Sequence, residues 1–146
     1  MPEYKNPKPI AVALVAAFDP CCGKSGLLVI RRAGVSNFPG SLALPSGYME
    51  FGETWQESVV RELREETGVE GRAEDVVLHD VITSPLTKHL QVFGRIKGLD
   101  VDVSKLVPTR EASEFLVFGS EGFETPFSTH KQAAAKFFEN MITWRA

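Results

Sequence analysis

Between Gly47 and Val69 the chain reads GYMEFGETWQESVVRELREETGV, a glycine-bounded turn running into a helix. Thr54 is a natural N-cap, and Glu57 at the N3 position completes a capping box. Gly68, just past the last helical turn, is a natural C-terminal stop. At about 100° per residue, Trp55, Val59, Val60 and Leu63 share one side of this helix, which is the side to bury. Glu62, Glu65 and Glu66 fall in a neighbouring arc, because i, i+3 and i+4 positions adjoin on a helix surface.

Carboxylates that close repel one another and lose stability unless a cation sits between them. Their oxygens suit Mg²⁺ or Mn²⁺, hard ions that keep several waters and share substrate phosphates. A solvated acidic face is the usual explanation of a Glu-rich helix. The flanking glycines and Glu53 set this one apart.

The stretch resembles the signature of the Nudix hydrolases, G-x5-E-x7-R-E-U-x-E-E-x-G-U with U apolar. It agrees at Gly47, Glu53, Arg61, Glu62, Leu63, Glu65, Glu66, Gly68 and Val69. From average amino-acid usage, a chance match at one starting point is on the order of 10⁻⁹. One departure precedes it: where the family commonly has Gly-Gly after Leu-Pro, this chain has Leu44-Pro45-Ser46-Gly47. The resemblance gives the Ser46 position a backbone-carbonyl role at the metal, which any side chain permits if the backbone angles fit.

Outside that stretch, Ile10 to Phe18 is a continuous apolar run fit for a central strand covered on both faces, although its alanines would also suit a helix. Asp19 to Gly23 ends it as a turn, and Leu27 to Arg32 reads as its antiparallel partner. Ala33 to Gly40 is a loop with Phe38 and Pro39 at its tip, and Leu42 to Leu44 is a short strand. Val76 to Thr83, Leu90 to Ile96 and Phe115 to Phe118 read as further strands, and Pro85 to Lys88 as a turn. Lys97 to Arg110 reads as polar and irregular, and Glu121 to Pro126 as a loop. A final helix from Ser128 to Trp144 presents Ala133, Ala134, Phe137, Phe138, Met141 and Ile142 at helical spacing for packing on the sheet. This pattern gives an α/β protein with a mixed sheet between helices. It agrees with the α/β/α sandwich that the resemblance implies, as one domain over residues 1–146 with 1–9 an extended lead-in.

Composition narrows the function. A net charge of −3 argues against a basic nucleic-acid-binding surface. No run approaches the ~18 apolar residues of a transmembrane helix, and the N-terminus is unlike a secretory signal. The expectation is a cytoplasmic protein with a small-molecule nucleotide partner, no nucleic acid and no membrane. Cys21 and Cys22 read as reduced loop thiols, since adjacent cysteines rarely form a disulfide and two make a poor zinc site.

The resemblance implies a hydrolase of the diphosphate linkage in a nucleoside diphosphate joined to a group X, with Mg²⁺ or Mn²⁺ as cofactor. Carried over residue by residue, Glu65 and Glu66 would be the main metal ligands, helped by Glu62 and the Ser46 carbonyl. Glu53 would support the site, and Arg61 would pair with Glu53 to fix the loop against the helix. The general base is either Glu62 or a downstream glutamate, for which Glu111, Glu114, Glu121 and Glu124 are the candidates and Glu111 or Glu114 fits best. Arg31 or Arg32 would face the substrate, since Arg grips phosphate bidentately. Phe38, Phe93, Phe127 and His130 could stack on or bond a base, although the phenylalanines suit core or loop packing and His130 reads as an exposed residue. Pro85 stands near the position of the proline marker of ADP-ribose pyrophosphatases, but a turn explains it equally. Family members are frequently dimers, so a homodimer is compatible with the resemblance. The other function to weigh is a nucleotide-binding or regulatory module without turnover, which would be expected to lose the box glutamates that this chain keeps.

Overall fold

The computed structural model describes residues 5–34 and 36–145, with the backbone alone over 141–145. Its elements in chain order are β1 (Pro9–Asp19), β2 (Lys24–Arg32), β3 (Leu42–Ala43), β4 (Ser46–Tyr48), α1 (Trp55–Thr67), β5 (Val76–Thr83), β6 (Leu90–Asp102), β7 (Ala112–Phe118) and α2 (Ser128–Arg145). The seven strands form one mixed sheet in which β1 runs parallel to β6 and the other pairings are antiparallel.

The apolar run of β1 is explained by burial on both faces. Ala11, Ala13, Val15 and Ala17 join Val59 and Leu63 of α1 in one core cluster. Val12 and Leu14 join Phe93 and Ala133, Ala134 and Phe137 of α2 in the other. Three of the run's alanines, Ala11, Ala13 and Ala17, therefore lie on the α1 side. Burying Val59 and Leu63 completely stabilises the fold by about 1.5–3 kcal/mol each. Phe138 packs at the edge of the α2 cluster, while the side chains of Met141 and Ile142 lie outside the described residues. No helix among the described residues is long and apolar enough to cross a membrane.

The sheet parts along β1, and this positions the site. Its end pairs with β2 from Ala16 to Asp19, whereas its start pairs with β4 from Ile10 to Val12. Pro45 caps the split through its carbonyl, which accepts from Ala13 N at 2.9 Å. Two expectations are corrected here. Gly47 and Tyr48, read as the start of a turn running to Gly52, lie with Ser46 in a strand, because β1 supplies its partner. Leu90 to Ile96 is only the first half of β6, which continues to Asp102, into the segment read as irregular. The β1–β6 register shifts between Leu14 and Ala16, with Leu14 opposite Arg95 and Ala16 opposite Asp100. The intervening bulge holds Gly98 at φ 76° and breaks the alternation, after which Val101 and Val103 rejoin the α1-side core.

Candidate active site

Helix α1 is pinned at both ends as its sequence requires. Thr54 Oγ1 accepts from Glu57 N at 3.1 Å, and Glu57 Oε1 accepts from Thr54 N at 2.8 Å. Gly68 adopts φ 77° and its N–H returns to Arg64 O, closing the last turn.

Arg61 ties the preceding loop to this helix. Its Nη2 lies 2.7 Å from Glu53 Oε1 and donates to Tyr48 O at 2.9 Å. Its Nη1 reaches Glu62 Oε1 at 2.7 Å and Glu65 Oε2 at 3.1 Å. The pairing of Arg61 with Glu53 expected from sequence is therefore present, and it extends to two further carboxylates. The Arg61 hydrogen bond, aided by Ser58, holds the Glu53 carboxyl down at about 2 despite its desolvation.

Glu62 and Glu66 behave in the opposite way. Burial pushes Glu62 up to about 7, outweighing Arg61, and the charges of Glu65 and Glu111 add to the rise. Burial also pushes Glu66 well above the usual carboxylate range, and Glu62 and Glu111 push it further. Only its weak bonds from Ser46 N, at 3.3 Å, and the charge of Arg32 work against this.

Glu111 reaches the pair from the loop before β7. Thr109 Oγ1 donates to Glu66 O at 2.7 Å, and Glu111 O accepts from Ala33 N at 2.9 Å, so the loop is held to both α1 and the end of β2. Carboxylate oxygens of Glu62, Glu66 and Glu111 lie within 4.8 Å of one another. The other downstream glutamates are engaged elsewhere: Glu114 with Arg31 at 2.7 Å, Glu121 with Lys24 at 2.6 Å and Glu124 with Lys131 at 3.3 Å. Glu65 stands outside the trio, on Arg61. An all-oxygen donor set whose buried members repel one another fits a hard divalent cation.

A cleft of about 330 Å³ opens beside the cluster, lined by Ser46, Glu66 and Glu111 and by Arg32 and Arg110. A second cleft of about 190 Å³, on the α2 side, shares Arg32 and Ser46 with it. Of the two arginines that end β2, Arg32 is the one that lines both clefts. It is held by Asn37 O at 2.6 Å and lies 5.1 Å from the Phe127 ring centroid. Arg31 is occupied by Glu114 and Gly40 O. Phe38 lines the second cleft and meets Phe127 edge-on at 5.5 Å, while Phe93 is wholly buried in the core.

His130 is buried, not exposed as its place near the start of α2 suggested. Its Nδ1 accepts from Leu44 N at 3.1 Å, and burial, with the charge of Arg32, pulls its pKa down to about 3. Sequence reasoning also passed over Thr109, Arg110 and Gln91. Gln91 alone had a signal, as a polar residue on the same face as Phe93 in an apolar strand.

The match to known proteins decides the family: the NUDIX domain covers residues 7–127 of this chain. The chain belongs to that family. An ADP-ribose pyrophosphatase of Methanocaldococcus jannaschii is 51% identical over 43 residues, which are 30% of this Nudix chain and 25% of that protein. The match thus spans about a quarter of the curated relative's length. A Nudix hydrolase structure from Nitrosomonas europaea superposes with TM-score 0.71 at 22% identity, covering 97% of this chain and 75% of that one. The Nudix domain of Shewanella oneidensis NrtR, solved with ADP-ribose, gives TM-score 0.72 at 15% identity, covering 94% and 90%. At such identities the two structures establish the shared fold.

Proposed function

We propose that this Nudix domain hydrolyses the diphosphate linkage of a nucleoside diphosphate joined to a second group, with ADP-ribose the leading substrate. The observation that carries the reading is the Glu62–Glu66–Glu111 cluster, two of whose members, Glu66 and Glu111, line one cleft together with Arg32 and Arg110. The ADP-ribose pyrophosphatase relative and the ADP-ribose complex of a structural neighbour support the choice of substrate.

Glu62, Glu65, Glu66 and the Ser46 carbonyl would hold a Mg²⁺ or Mn²⁺ ion. When bound, such an ion neutralises phosphate charge and lowers the pKa of water. Arg32 and Arg110 bind phosphate oxygens, the geometry for which a guanidinium is suited. Arg32 also lines the second cleft, so it orients the diphosphate between the acidic cluster and the nucleoside. Glu111 is the downstream glutamate that stands with Glu62 and Glu66, and its carboxylate accepts the proton of the attacking water. Water adds across the bridge as one phosphorus–oxygen bond forms and another breaks. ADP-ribose then yields AMP and ribose 5-phosphate.

Retention of Glu53, Glu62, Glu65 and Glu66 favours this reading over a module that binds nucleotide without turnover. The test is product release from ADP-ribose, NADH, nucleotide sugars, diadenosine polyphosphates and nucleoside triphosphates, with Mg²⁺ and with Mn²⁺. Preferential cleavage of ADP-ribose is expected. Folded, metal-binding protein that cleaves none of them would favour the binding module.

A further inference from the structure

Gln91 of β6 lines the second cleft and is 6% exposed, yet its Oε1 has no hydrogen-bond partner among the described residues. Its strand neighbours give it no structural use. It stands opposite Ile10 of β1 and Ile82 of β5, with Phe93 next on the same face. A leucine or methionine would fill this position without an unpaired acceptor. Buried polar side chains are nearly always paired, so an orphan on a cleft wall marks a place where a partner is brought from outside. The carboxamide turns easily about its last side-chain torsion, so its oxygen can be presented to the cleft.

The rest of the lining has the character of a base site. Phe38 and Phe127 offer aromatic surface. His130 accepts from Leu44 N through Nδ1, which places its proton on Nε2 and makes that atom a donor. The cleft thus carries one acceptor and one donor side chain, the complement of the amino and ring-nitrogen groups along one edge of adenine.

We infer that Gln91 is a base-reading residue, accepting a hydrogen bond from the exocyclic amino group of an adenine held in this cleft. The inference rests on the nucleotide-substrate reading above and adds which residue selects the base. Leu86, Tyr48 and Pro85 then close the apolar wall around the ring.

The test compares AMP with purine riboside 5′-monophosphate, which lacks only the amino group, by calorimetry on the full chain. Loss of a hydrogen bond to a buried acceptor predicts that wild type binds AMP about tenfold or more tightly. Gln91→Met should bind the two ligands alike, while Gln91→Glu, which keeps acceptor oxygens, should retain the preference. In wild type, the Gln91 side-chain amide resonances should shift with AMP and not with the analogue, a readout independent of whether either variant folds. Equal binding of the two ligands, unshifted Gln91 resonances, or full preference in Gln91→Met would overturn the inference. Hydrolysis of ADP-ribose is measured separately. Cleavage without base preference removes the role of Gln91 and leaves the hydrolase, whereas base preference without cleavage does the reverse.

Discussion

Gly47 and Glu62 pack so closely that a Cβ on Gly47 would overlap the Glu62 carboxylate. Gly47 is needed for this space and not for a left-handed backbone, unlike Gly52 at φ 93°. Its strand is paired with β1, so the group that must move is the Glu62 carboxylate.

Gly47→Ala is therefore expected to displace Glu62 from the cluster. The overlapping atoms are all at the far end of the Glu62 side chain, so the carboxylate turns aside at a cost of about 0.5–1.5 kcal/mol. Turnover of ADP-ribose should fall by about tenfold or more, corresponding to at least about 1.4 kcal/mol. Melting curves and steady-state kinetics check both effects. Unchanged values would show that Glu62 has room the structure does not give it.

Arg61→Ala should lower stability and rate together. The guanidinium lies against Glu53, Glu62 and Glu65, and its removal strands two partly buried carboxylates. Breaking such a pair costs about 3 kcal/mol or more. At about 2–4 °C per kcal/mol, the melting temperature should drop by roughly 6–12 °C. Arg61→Lys should rescue little, since one ammonium cannot span these partners and Tyr48 O. A purely kinetic effect in Arg61→Ala would contradict the bracing role.

Without divalent ions, the carboxylate cluster should make the protein less stable as pH rises. The folded pKa values of Glu62, about 7, and of Glu66 lie above those of the unfolded chain. Their contribution is complete below the unfolded value and is lost as pH rises through the folded one. Chelator-treated protein should thus melt lower at pH 8 than at pH 7. Glu66→Gln should raise the melting temperature at pH 8 and flatten this dependence, while reducing turnover by orders of magnitude. A destabilised Glu66→Gln at pH 8 would count against repulsion in the cluster.

His130 should produce a dependence of the other sign. Its folded pKa, about 3, lies below the unfolded value of 6.5, so below pH 6.5 the unfolded chain takes up a proton that the folded chain refuses. Relative to His130→Asn, wild type should lose about 1.4 kcal/mol of stability per pH unit below that point. Urea melts at pH 7.5, 6 and 5 give the difference directly. A constant difference would mean that His130 is protonated in the folded state.

Much of this was legible from local signals. The caps at Thr54 and Gly68, the buried stripe of α1 and the arc of Glu62, Glu65 and Glu66 follow from spacing alone. The strand at Ser46–Tyr48 was not legible, because it exists through pairing with β1. Asp100 to Asp102 was hidden because the bulge at Gly98 interrupts the alternation that announces a strand. Glu111 and Glu114 were equivalent in sequence; the bond from Thr109 to Glu66 O brings one to the cluster, while pairing along β2 gives the other to Arg31. His130 was misread because its partner, Leu44 N, lies far away in the chain.

The most direct measurement is AMP release from ADP-ribose by wild type, Glu66→Gln and Glu111→Gln, with Mg²⁺ and with chelator. Ion-dependent release by wild type, with losses of about 100-fold or more in each variant, is what the acidic cluster predicts. Release that survives chelation, or that either variant sustains at the wild-type rate, would contradict it.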